Sequence, residues 1–257
     1  MLKCIILGAQ MFDNAELTFR HTLGNASGDS NGSEFVDAAI SSRRSIRGFK
    51  SDPVDEKLIR HLLALASRAP SGTNMQPWRV YVLTGAIKDR LTDEILAGKN
   101  SNSETLGKRS WKYYPDEFPP IYKARRRKIG WDMYALAGVE KGDRKAAEKV
   151  RSRNFKFFGA PVGMIFTISE ELEVGSWLDY GCFIQNLMIA SRGYGLHTCP
   201  QAIFADVPNP VYKVLSIPQT EIIVCGMSLG YIDDSVNVNN LETERASVSD
   251  FALFLEK

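Results

Sequence analysis

The chain has 257 residues, enough for one sizeable core, and its 44% hydrophobic and 24% charged content is that of an ordinary soluble globular protein. Its 32 Lys and Arg against 30 Asp and Glu leave a formal charge of +2, which excludes the broad basic surplus of a dedicated nucleic-acid binder. No apolar run approaches a membrane span, and the four cysteines (Cys4, Cys182, Cys199, Cys225) form no C-x-x-C pair. They point to neither a disulfide framework nor a zinc site, so a reducing, cytoplasmic compartment is expected.

Residues 1–33 have weak periodicity and close on a Gly/Ser/Asn-rich patch, Gly24 to Ser33, which reads as an N-terminal arm and linker. The apolar run before Gly8 is too short for a signal-peptide core. Ser33 is placed to cap a helix, with Glu34 and Asp37 in its first turn, that runs to Arg43-Arg44-Ser45-Ile46-Arg47. Three guanidinium groups and a hydroxyl within five positions form a compact donor set for a phosphate ester. The same residues also read as cations at a helix C-terminus with Gly48 as a left-handed cap. The cluster alone does not decide.

Asp52 to Glu56 opens a second helix, apolar at Leu58, Ile59, Leu62, Leu63 and Leu65, that runs to Arg68 and stops before Pro70. Ala69 to Trp78, with two prolines, Gly72, Asn74 and small hydroxyls, reads as a loop of fixed turns and free donors. Arg79 to Thr84 reads as a buried strand and Ala86 to Ala97 as a helix. Over 98–135 the pattern is that of a lid-like insert, with Trp111, Tyr113, Tyr114, Phe118 and Tyr122 set among prolines. These rings either stack on an aromatic substrate or pack the insert onto the body. Arg125-Arg126-Arg127-Lys128 either draws a substrate carboxylate or is a solvated helix face.

Helices are expected from Ile121 to Val139 and from Lys141 to Phe158. Pro161 to Ile168 is a nearly continuous apolar run, hence a strand buried on both faces. Ser176-Trp177-Leu178-Asp179 matches a capping-box start for a buried helix ending at Gly193 and Gly195. Thr220 to Tyr231 is a second core strand, 232–257 a polar extension suited to reaching a partner chain, and Val248 to Leu255 a last short helix. Together these give an α+β domain over 34–257, one sheet covered by helices. No metal-ligating set is recognisable. His21, His61 and His197 have no evident Ser or Asp partner, so His197 reads as structural, and Cys182 and Cys199 read as small buried hydrophobes.

In this order and spacing, several pieces resemble the FMN-dependent nitroreductase family over about residues 34–254. They are Arg43 to Arg47, Ala69 to Trp78, Phe158-Gly159-Ala160-Pro161-Val162, Trp177 to Gly181 with Gln185-Asn186-Leu187, Gly195 to Gln201, and Thr243-Glu244-Arg245. The insert Tyr113 to Glu117 with Arg125-Arg126-Arg127 is similar to the nitrobenzoate-reductase subgroup. The resemblance implies a nitroreductase-like fold with a central mixed sheet, an intertwined homodimer, FMN as cofactor and NADH or NADPH as reductant.

Residue by residue, the resemblance implies that Arg43, Ser45 and Arg47 hold the FMN phosphate, ribityl chain and ring edge, with Arg44 contributing backbone or side chain. Pro70, Ser71, Gly72, Asn74 and Gln76 correspond to the loop that contacts flavin from the other subunit. Pro200, Gln201 and Ala202 correspond to the segment against the ring, a backbone N–H facing the N5 edge. Arg245 matches a C-terminal phosphate ligand, and it stands alone where relatives often carry a Lys plus an Arg. Trp111, Tyr113, Tyr114, Phe118 and Arg125 are candidate substrate residues for a small aromatic electron acceptor.

The implied activity is ping-pong reduction of nitroaromatic or related electron-poor acceptors, hydride passing from NAD(P)H through flavin N5. It needs no protein nucleophile, and the absence of G-x-G-x-x-G fits a nicotinamide that binds transiently over the flavin. Two alternatives stay open. One is the same scaffold doing reductive dehalogenation or flavin breakdown; the other is a non-enzymatic phosphate or nucleic-acid module on Arg43 to Arg47 and Arg125 to Lys128.

Overall fold

The computed structural model describes residues 30–101, 103–109 and 111–255. The expected arm and linker therefore lie, except for residues 30–33, outside the described residues. The chain divides into two units between Ala38 and Ala39. Helix α1 (Ser30–Ser42) starts before the expected Ser33 cap and carries Phe35 and Val36 into solvent. It stops at Ser42, so Gly48 does not cap it, and Gly48 is absent from the positive-φ residues. Glycine is required there for a different reason: a Cβ would stand 2.6 Å from the Val236 side chain.

The second unit is built on a four-stranded sheet in the order β1 (Arg79–Thr84), β2 (Val162–Ser169), β4 (Glu221–Gly230), β3 (His197–Gln201). All three ladders are antiparallel, and the parallel component of the expected mixed sheet is one isolated bridge, Ser45–Thr198. Strand β2 is buried from Val162 to Ile168, as its unbroken apolar run requires of a central strand. Its side chains alternate between two cores: Ile165 joins one, while Val162, Met164, Phe166 and Ile168 join the other. Strand β1 departs from expectation. It is an edge strand in which Leu83 alone is buried. Strand β3 was not legible because Pro200 interrupts it, yet an edge strand tolerates proline.

Helices cover both faces. Helix α2 (Glu56–Ala66), capped by Asp55 accepting from the Lys57 N–H, packs against α6 (Val174–Gly193). Burying Ile59 and Leu62 there stabilises by about 1.5–3 kcal/mol each. On the opposite face α3 (Gly85–Ser101) packs on α7 (Pro208–Leu215). Ser176 is not a cap: it is buried within α6, which begins at Val174. The insert carries α4 (Pro120–Leu136), followed by α5 (Arg144–Ser152).

The helix expected as far as Phe158 ends at Ser152 and gives way to a 3-10 segment in which Phe157 and Phe158 adopt φ of 49° and 54°. That turn buries the Phe157 ring 4.7 Å from the Phe204 ring and against Gly163, where a Cβ would stand 2.6 Å away. Aromatic packing outweighs the helix continuation. Near the C-terminus, the expected helix is a single 3-10 turn, Val248–Asp250, closed by a Ser247–Asp250 capping box.

Candidate functional site

The basic segment after α1 runs extended along the edge strand β3. Ser45 bridges Thr198, the Ile46 N–H donates to the Thr198 carbonyl at 3.1 Å, and the Lys50 N–H donates to the Tyr231 carbonyl at 3.0 Å. In an extended chain alternate residues share a face. Ile46 is fully buried, and Arg43, Ser45 and Arg47 fall on one side while Arg44 falls on the other. Asn239 fixes the segment from the tail. Its Oδ1 accepts from the Arg47 N–H at 2.8 Å and its Nδ2 donates to the Gly48 carbonyl at 2.8 Å. Sequence reasoning missed Asn239; its only trace was an Asn-rich stretch.

Burial holds the Arg43 guanidinium below the usual arginine range, and the nearby Arg245 adds to the effect. Beneath them lies Cys199, whose thiol is pushed up to about 11 by burial, against the opposing pull of Arg47, Ser45 and Arg43. Arg43, Ser45, Arg47 and Arg245 thus gather around one point of β3. Among the described residues no ion pair involves any of these arginines. Arg245 donates instead to the Thr243 carbonyl at 3.0 Å and hydroxyl at 2.6 Å.

Arg44 faces a different neighbourhood. Its charge lowers the pKa of Arg192, after burial, and that of His197. Arg192 Nε donates to the Ser42 hydroxyl at 3.1 Å, and its Nη1 reaches the Leu196 carbonyl at 2.9 Å and His197 Nε2 at 2.8 Å. An arginine only donates, so Nε2 accepts and the ring proton sits on Nδ1, which is buried without a partner. Burial first, then Arg192 and Arg44, push His197 down to about 4, against Asp234. It is a neutral, structural histidine.

At the end of β3, Pro200 is exposed and Gln201 is 3% exposed. Both ends of the Gln201 side chain are committed: Nε2 donates to the Asn154 carbonyl and Oε1 accepts from the Ser228 hydroxyl, each at 2.7 Å. Pro200, Gln201 and Ala202 can therefore offer a ligand chiefly their backbone. The 70–76 loop is exposed from Gly72 to Gln76, and its Gly72 N–H donates to Asp179 of α6 at 3.0 Å. Thr73, Asn74 and Gln76 all have φ between 50° and 61°, a concentration of backbone strain typical of ligand clamps. No hydrogen bond among the described residues joins this loop to the arginine segment.

In the insert, Trp111 packs onto the body. Its Nε1 donates to the Ile223 carbonyl at 2.8 Å and its ring lies 5.0 Å from that of Trp177. From it a ladder of rings runs outward through Tyr113, Tyr114 and Phe118 at centroid spacings of 5.4, 4.5 and 5.5 Å. Arg125 is exposed on α4, and after the Ser247 hydrogen bonds its charge helps to hold the Asp250 carboxyl of the tail below the usual range. Lys128 Nζ lies 3.4 Å from Glu244, which sets α4 beside the segment that carries Arg245.

The model of the nitroreductase family matches residues 40–231. The chain is 40% identical over 220 residues, 85% of it and 95% of the relative, to a 4-nitrobenzoate reductase of Pseudomonas putida. It is 36% identical to a chloronitrobenzene nitroreductase of Comamonas testosteroni, over 88% of this chain and 99% of that one. The solved structure of the FMN-dependent nitroreductase NfnB from Mycobacterium smegmatis, in complex with NADPH, superposes with a TM-score of 0.82 at 28% identity, covering 87% and 99% of the two chains. The chain belongs to the nitroreductase family.

Proposed function

We propose that this protein is an FMN-dependent NAD(P)H oxidoreductase that reduces nitroaromatic or related electron-poor acceptors, working as a homodimer. One observation carries the reading: Arg43 and Arg245, some 200 residues apart in sequence, come near enough for one charge to act on the other, on the side of β3 that carries Ser45 and Arg47, and among the described residues no carboxylate is paired with any of these arginines. Like charges held together in a half-buried site call for an anion between them. A phosphate monoester suits that donor set, which fits FMN.

Arg43, Ser45, Arg47 and Arg245 would hold its phosphate and ribityl chain, and the backbone of Pro200 to Ala202 its ring edge. The chemistry FMN supplies when bound is acceptance of a hydride from NAD(P)H and its delivery to the acceptor. The protein's part is position and charge. Cys199, kept a thiol by burial, puts no competing anion beneath the arginines. Asn239 locks the backbone that aims Arg47. The Pro70, Ser71, Gly72, Asn74 and Gln76 loop, stretched into strained turns and left exposed, is suited to close over a flavin bound by a second copy.

The dimer is further supported by apolar surface with no covering element. Phe251, Leu253, Phe254 and Leu255 of the tail are 72–90% exposed, and β1 presents an unpaired sheet edge. No helix among the described residues is long and apolar enough to cross a membrane. The expected reducing, cytoplasmic setting accords with the free thiols of Cys182, Cys199 and Cys225.

The test is steady-state kinetics with nitroaromatics, quinones and halogenated phenols against NADH and NADPH, after an absorbance spectrum of the purified protein. A yellow protein that oxidises NAD(P)H in the presence of nitroarenes supports the reading. A protein that stays colourless after reconstitution with FMN, or that turns over halogenated phenols alone, would end it.

A further inference from the structure

We propose that Arg126 is the receptor for the carboxylate of an aromatic substrate, held for that task over the rings of Tyr114 and Phe118 in the groove along α4 that Asp116, Glu117, Phe118 and Arg151 also line. The inference rests on the nitroaromatic reading above and adds the charge class of the acceptor and the residue that selects it.

The Arg126 guanidinium lies 4.9 Å from the Phe118 ring centroid and 5.6 Å from that of Tyr114. A guanidinium held over ring faces rather than by carboxylates keeps N–H donors for a ligand, and its planar fork matches a carboxylate bidentately. Among the described residues Arg126 makes no ion pair. Two nearby cations are occupied: Lys128 is tied to Asp132 at 2.8 Å and to Glu244, and Arg151 to Glu148 at 3.4 Å. Arg125, the single residue of the basic run chosen from the sequence, does not line the groove.

The groove beside Arg126 measures about 1050 Å³, room enough for a substituted benzene ring. Lys123 and Arg127 line it with Arg126, against Asp116 and Glu117. Asp116 is paired with Lys112, which leaves a local surplus of positive charge that favours an entering anion. Trp131, 53% exposed, and Tyr134 supply ring faces for an apolar aromatic body. The groove also shares a support with the cofactor loop. The ring ladder that carries Phe118 ends on Trp177, two residues before the Asp179 that holds Gly72.

The experiment compares Arg126→Met, which keeps a flexible stem on the rings and removes the charge, with Arg126→Lys, which keeps a charge. Two quantities are read on the holoenzyme. One is the ratio of kcat/KM for 4-nitrobenzoate to that for nitrobenzene; the other is the affinity for benzoate, which cannot be reduced, by calorimetry. In Arg126→Met the ratio should fall about tenfold or more and benzoate should bind more weakly by a similar factor, the loss of one charge-assisted contact. Arg126→Lys should recover part of both. An unchanged ratio, a parallel fall for both substrates, or benzoate affinity equal to that of the parent would overturn the proposal. If the parent reduces neither nitroarene, the functional reading fails, while the benzoate titration still decides the role of Arg126.

Discussion

Arg43 and Arg44 are neighbours in sequence and opposites in space. Arg43 shares its face with Ser45 and Arg47 near Arg245, whereas Arg44 adds its charge to Arg192 and His197. Arg43→Ala should therefore weaken FMN binding by about 1.5–3 kcal/mol, roughly ten- to a hundredfold. Arg44→Ala should cost much less, and flavin fluorescence titration of the apoprotein separates the two. Equal losses would show that both guanidinium groups touch the cofactor. His197 gives a second prediction at this scale. The unfolded chain takes up a proton at this ring below about 6.5, whereas the folded protein resists until about 4. The folded pKa is the lower one, so stability is lost as pH falls through that window, by at most about 3–4 kcal/mol. His197→Gln keeps an acceptor for Arg192 and cannot titrate. Urea unfolding across the same window should give a flatter acid limb for this variant, and an identical limb would remove His197 as the cause.

Among the elements, β2 and β4 were readable because a central strand must be apolar on both faces, and the loop at Pro70 to Gln76 because its turn residues announce it. The elements that failed to show in the sequence are those settled by packing. Pro200 hid β3, and Phe157 and Phe158 looked like helix until Gly163 and Phe204 gave their rings a place to stack. The proposed phosphate donors were legible because three of them, Arg43, Ser45 and Arg47, lie within five positions. Asn239 was not, because it holds a backbone that only the fold brings near, and Arg126 was legible only as one member of a basic run until the fold set it over two rings. The 70–76 loop also carries a measurable strain. Thr73 is β-branched yet sits at φ 50°, ψ 22°, a left-handed conformation that costs such a residue about 1–2 kcal/mol. Asparagine tolerates it better. Thr73→Asn should stabilise by about 0.5–1 kcal/mol, raising Tm by roughly 2 °C. A Tm that stays level or drops would mean that the turn is not strained at this residue.

For the whole molecule, a single copy leaves its C-terminus unfinished. Phe251, Leu253, Phe254 and Leu255 together expose four large apolar side chains within five positions. Burying each is worth about 1.5–3 kcal/mol, so the tail brings roughly 6–12 kcal/mol toward association before the entropic costs are met. Strand β1 offers a matching need, an edge whose outward backbone groups have no strand beside them and whose Val82 is 39% exposed. A second copy whose tail lies along that edge would satisfy both at once. The same embrace would bring the strained 70–76 loop of one copy to the arginines of the other. Ending the chain after Ala246 tests this, because it keeps Arg245 and removes the apolar residues beyond it. The full chain should sediment at twice its 28.7 kDa. The shortened one should dissociate at far higher concentration and release FMN as it does so, since a flavin held by two copies loses half of its walls when they part. A full-length chain that sediments at 28.7 kDa with its flavin retained would show that one copy closes the site alone.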